Sequence, residues 1–67
     1  GISMKYKCGD KVLSRYSWDQ WRMALVVDVR EVDLDLLLAQ DLPPDTVSYD
    51  VVFGNGERRV VLEEYVR

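Results

Sequence analysis

Apolar and polar positions alternate with a period of two along several stretches of this 67-residue chain. That spacing sends successive side chains to opposite faces of a β-strand. Residues 11–15 read as a first strand, with Val12 and Ser14 on one face and Leu13 and Arg15 on the other. Gly9-Asp10 ahead of it is a turn signal. Residues 21–30 read as a second strand, rich in β-branched side chains at Val26, Val27 and Val29. Ala24 and Val26 share a face, but Val26-Val27-Asp28 breaks the alternation and predicts a bulge or a sharp bend. The cleanest strand is residues 47–53, where Tyr49, Val51 and Phe53 alternate with Asp50 and Val52. Asn55-Gly56 follows, a hairpin signal because both residues tolerate positive φ. Residues 58–62 return as a fourth strand, Glu63-Glu64-Tyr65 suits one tight helical turn, and Val66-Arg67 begins a fifth strand.

The segment 31–46 breaks this rhythm. Asp33 is placed to cap a short helix over residues 34–40. Leu34, Leu37 and Leu38 would share a face of it by their i, i+3, i+4 spacing. Pro43-Pro44 marks its end, because the residue before a proline avoids the α region. So short a helix is unstable alone. Its leucines must dock on the rest of the domain or on a partner. Five short strands, a tight hairpin and a bent second strand predict a small barrel, since closure removes exposed sheet edges. An OB-fold is the main rival, and it ordinarily needs longer strands than these.

Composition narrows the function. Gly1-Ile2-Ser3 ahead of Met4 reads as a cloning remnant, leaving residues 4–67 as one domain. A chain this short buries roughly 60% of its unfolded surface. There is no histidine and one cysteine, Cys8. An internal disulfide is therefore impossible, and a four-ligand zinc site is not expected. A lone cysteine without a histidine partner is a poor nucleophile, and acids in an exposed loop have no desolvated pocket to tune them. No enzyme, cofactor or metal is expected. Cys8 reads as a small buried hydrophobe. No apolar run is long enough to span a bilayer, and nothing at the start reads as a signal peptide. The net charge of −3 argues against broad nucleic-acid binding. Glu31, Asp33, Asp35, Asp41 and Asp45 form an acidic stretch without Lys or Arg, whereas the first 30 residues carry six basic and three acidic side chains.

Three pieces of sequence carry a family resemblance. They are Gly9-Asp10-Lys11-Val12-Leu13-Ser14-Arg15-Tyr16, then Trp21-Arg22-Met23-Ala24-Leu25-Val26, then Tyr49-Asp50-Val51-Val52-Phe53-Gly54-Asn55-Gly56-Glu57. In this order they resemble Tudor and Tudor-like domains, the SH3-like barrels of chromatin readers. The resemblance implies an all-β fold: a five-stranded SH3-like barrel with a long, partly helical insertion between strands 2 and 3. It also implies an intracellular, nuclear binding module. Its ligand would be methylated Lys or Arg in a basic peptide such as a histone tail, held in an aromatic cage by cation–π contact.

Carried over by position, the cage uses Tyr16, Phe53 and Asn55. Trp18, in the loop between the first two strands, supplies a further wall. Trp21 is an additional candidate whose competing reading is core packing. Arg22 and Glu57 are further candidates: the resemblance places Arg22 where the family often has a cage aromatic and Glu57 where it sometimes has one. For Tyr16 and Phe53 the competing reading is that they cover one end of the barrel. Tyr49 and Tyr65 read as packing residues. Leu34, Leu37 and Leu38 are the candidate partner surface of a second function class: a protein-interaction domain that does not read methylation. Nucleic-acid contact through the basic first half and Arg58-Arg59 ranks third.

Overall fold

The computed structural model describes residues 5–15 and 20–67. Four strands form where the alternation predicts them: β1 (Lys11–Ser14), β2 (Arg22–Glu31), β3 (Val47–Phe53) and β4 (Arg58–Leu62). They make one antiparallel sheet in the order β1-β2-β3-β4, each strand beside its neighbour in sequence. A six-residue helix, α1 (Leu34–Ala39), lies between β2 and β3, and a 3-10 turn (Glu63–Tyr65) follows β4. The protein is mostly β, as expected.

The predicted bulge is present. The β2–β3 register runs Val26↔Val51 and then Asp28↔Asp50, leaving Val27 as the extra residue. Ala24 and Val26 face the core before the bulge, and Val29 packs against it beyond. The other core residues are Val12, Val47, Tyr49, Val51, Phe53, Val61 and Val66. Tyr49 and Tyr65 pack as expected, the first fully buried and the second half-buried against the cluster. Tyr6 meets Tyr49 edge-on, with ring centroids 5.6 Å apart.

The five-stranded barrel is not what is observed. Val66 makes an isolated bridge to Ser14 and is not part of a strand. The link is nonetheless well made. The Leu13 N–H donates to the Arg67 carbonyl at 2.9 Å, and the Arg67 N–H donates back to Leu13 at 2.8 Å. In a flat sheet, a position beyond β1 would stand about 19 Å from β4. The chain covers the gap from Leu62 to Val66 through a 3-10 turn that rises only about 2 Å per residue. The sheet must therefore curl strongly. No ladder among the described residues joins β4 to residues 66–67, so the sheet is not closed.

Two turns differ from expectation. The hairpin loop is three residues long, Gly54-Asn55-Gly56, and only Gly56 has positive φ, at 86°. The Gly56 N–H donates to the Phe53 carbonyl at 2.9 Å, and the Phe53 N–H to Glu57 at 2.8 Å. This is a turn followed by a left-handed glycine, the common three-residue hairpin. The helix ends before the prolines. Asp41 takes φ 52°, the Leu42 N–H donates to the Leu37 carbonyl at 2.9 Å, and the Asp41 N–H to Leu38 at 3.4 Å. That pattern is a Schellman turn with an aspartate in the usual glycine position. At the other end, Asp33 occupies the cap position, but its side chain makes no capping hydrogen bond.

Candidate functional site

The two faces of β2 place the residues singled out from sequence. Arg22, Ala24 and Val26 alternate onto one face, and Ala24 sits opposite Phe53 in the β2–β3 register. Arg22 is therefore held at the end of the core, above Phe53. Its guanidinium carbon lies 4.5 Å from the Phe53 ring centroid, and Phe53 itself is 3% exposed. The cage position at Phe53 is a core position whose ring already carries this chain's own cation. Tyr16 and Trp18 lie outside the described residues.

The remaining cage candidates are engaged locally. Asn55 is exposed at the hairpin tip, and its Oδ1 accepts the Glu57 N–H at 2.9 Å. Glu57 accepts from Arg59 through Nε at 3.0 Å and through the terminal nitrogen at 2.7 Å. Trp21 is half-buried and outside the core cluster. Arg15 and Arg67 approach it at 5.0 and 4.2 Å from the ring centroid. These cation–π contacts give no sequence signal, because Arg67 is brought beside Arg15 only by the return of the chain to β1.

The helix departs from expectation too. Leu34, Leu37 and Leu38 do not share one environment: Leu37 is buried at 8%, while Leu34 and Leu38 are 68% and 72% exposed. Leu36 was not singled out, and it lines a groove with Val32, Gln40, Val60 and Leu62. Leu34 and Leu38 stand one turn apart on the solvent side, between Asp33, Asp35 and Asp41, all exposed. A second apolar strip lies on the outer face of the sheet, where Leu13, Met23 and Leu25 are 40%, 66% and 40% exposed.

One buried polar group was missed altogether. Asp50 is 3% exposed on the outer face of β3. It accepts both Nε (3.0 Å) and the terminal nitrogen (2.6 Å) of Arg58, and Arg30 lies 3.8 Å away. The Arg58 hydrogen bonds push the Asp50 carboxyl below its ordinary pKa; burial opposes this, and the charges of Arg58 and Arg30 add to it. Arg58 and Arg59 are thus both paired with acids, as one of their sequence readings allowed. Cys8, expected to be buried, is exposed, with its thiol 3.3 Å from the Val27 carbonyl. It belongs to the Lys7–Asp10 turn that runs along the rim of β2, not to the core.

Among the described residues, no group of three or more acidic, Cys or His side chains is placed to hold a metal, and no helix is long and apolar enough to cross a membrane. Comparison with protein-family models, with curated proteins and with solved structures finds no match.

Proposed function

We propose that this chain is a non-enzymatic protein-interaction module, built as a minimal SH3-like, Tudor-like barrel, that engages its partner through α1 rather than by reading methylated Lys or Arg. The barrel assignment is supported by the meander order, the bulge in β2, the three-residue hairpin and the return of residues 66–67 to the edge of β1. In this reading residues 66–67 take the place of the fifth strand beside β1.

The observation that carries the functional reading is the exposure of Leu34 and Leu38 on a six-residue helix that buries only Leu37. Removing such side chains from water contributes about 1–2 kcal/mol each at this degree of exposure. Acids surround them, and the stretch from Glu31 to Asp45 holds no basic residue. The matching partner presents an apolar groove rimmed by Lys or Arg. Arg22 above Phe53 weighs against methyl reading, since a methylammonium ligand would have to displace a resident guanidinium from that ring.

The test is site-specific photocrosslinking from position 34 or 38, compared with crosslinking from Met23 on the sheet. A partner trapped from the helix is then measured against Leu34→Asp/Leu38→Asp. Loss of binding with an unchanged melting temperature supports the proposal. A partner trapped only from Met23, or binding unchanged in the double variant, refutes it.

A further inference from the structure

The end of β1, the start of β2 and the distant residue 67 meet at the end of the sheet where β2 begins, the opposite end of β2 from α1. Arg15 leaves β1, and its N–H donates to the Tyr65 carbonyl at 3.3 Å. Arg67 is held by its two main-chain bonds to Leu13. Trp21 precedes β2, whose register sets Arg22 opposite Ser14 and so brings Trp21 level with Arg15. The outcome is one indole with two guanidinium groups, their carbons 5.0 and 4.2 Å from the ring centroid.

This arrangement leaves charge and hydrogen-bonding capacity over. Contact with a ring uses a guanidinium's positive charge and not its five N–H donors. Among the described residues neither Arg15 nor Arg67 makes an ion pair or a side-chain hydrogen bond. The Nε of Arg15 is shielded from solvent and still has no acceptor. Buried donors without acceptors are rare in folded proteins. The two cations are also mutually repulsive, and they lie at most about 9 Å apart, since both touch the same ring. An anion at the terminal guanidinium nitrogens relieves that repulsion.

We propose that Arg15, Trp21 and Arg67 form a binding site for an acidic peptide segment, with the two guanidinium groups receiving carboxylates two residues apart. In an extended chain, side chains i and i+2 point the same way and stand about 7 Å apart, a span that two cations sharing one ring can meet. Guanidinium forks match carboxylates in geometry, and charged hydrogen bonds of this kind are the strong ones. A nucleic-acid backbone fits less well. Two cations neutralise few phosphates, too few for a polynucleotide.

The experiment titrates the 67-residue chain, followed by Arg side-chain and Trp21 indole resonances, with a capped Gly-Glu-Val-Glu-Gly peptide. The same peptide with Gln for Glu, inorganic phosphate and an oligothymidylate are run in parallel. The acidic peptide is expected to saturate the Arg15 and Arg67 resonances, with affinity falling as salt is raised. Arg15→Gln and Arg67→Gln are each expected to weaken binding about tenfold. Should Arg15→Gln fail to fold, the Arg67→Gln variant and the wild-type resonance map still decide. Equal binding of the Gln peptide, binding unaffected by Arg67→Gln, or binding of phosphate or oligothymidylate without the acidic peptide overturns the proposal. The α1 crosslinking outcome does not bear on this site, so the two readings fail separately.

Discussion

Replacing Asp50 with Asn tests the electrostatics of the sheet most sharply. The side chain is almost fully buried, and its carboxylate takes the guanidinium fork of Arg58, with Arg30 beside it. Removing one partner of a buried pair costs about 3–5 kcal/mol when the other charge is left dry. Here Arg58 and Arg30 are 62% and 57% exposed at the side chain and rehydrate once released. The cost therefore falls below that range, about 2 kcal/mol at neutral pH, as for a hydrogen bond to a charged group. A chain of this length has a total stability on the order of 3–10 kcal/mol, so the variant loses a large part of it. The melting temperature should fall by about 8–16 °C, at about 4–8 °C per kcal/mol. The sign of the pH dependence follows from the lowered pKa. The unfolded carboxyl takes up a proton at higher pH than the folded one. The contribution is thus complete above the ordinary value of 3.8 and is lost as pH falls through the lower, folded value. Denaturant titrations of wild type and Asp50→Asn from pH 7 down to pH 2 measure the gap directly. It should be widest near neutrality and narrow in acid. A gap below about 1 kcal/mol at pH 7, or one that does not change with pH, would refute the account of Asp50.

Two further changes probe the core and the helix end. The Tyr49 hydroxyl is buried and makes no hydrogen bond of good geometry among the described residues; burial and then the nearby Glu63 charge raise its pKa, and the main chain of Tyr6 and Lys5 beside it opposes this. Tyr49→Phe keeps the ring contact with Tyr6 and should stabilise by about 1 kcal/mol in denaturant unfolding; a loss of stability would mean the hydroxyl is bonded. Asp41 holds φ 52° at the C-terminal end of α1. Asp41→Gly should stabilise by about 0.5–1 kcal/mol, by relieving the left-handed backbone and removing a negative charge from the negative end of the helix dipole. Amide exchange at Leu42 would slow accordingly.

Much of the fold could be read from the residues. Strands β3 and β4 and the 3-10 turn appear at their expected positions because their signals are local: alternation, a tight turn and a short polar run. The bulge was legible for the same reason, since Val26-Val27-Asp28 cannot alternate on a single register. What was not legible depends on tertiary placement. Asp50 reads as an ordinary outward residue of an alternating strand, and nothing local says that Arg58 will cover it. Leu37 and Leu38 look equivalent by spacing, yet only one meets the sheet. Trp21 looks like a core residue until the chain end brings Arg67 against it. Phe53 was legible as an aromatic at the end of β3, but it sits in the core and the cation over its ring is Arg22, supplied by the same face of β2.

The central claim is that this module binds without reading methylation, and one titration tests it most directly. Trimethyl-lysine and dimethyl-arginine peptides are added to the isotope-labelled 67-residue chain while the Phe53, Trp21 and Arg22 resonances are followed. The account predicts no saturable shift at these positions, because the Phe53 face is held by Arg22. Saturable shifts centred on Phe53, with the Arg22 side chain released from the ring and the unmethylated peptides inactive, would contradict it.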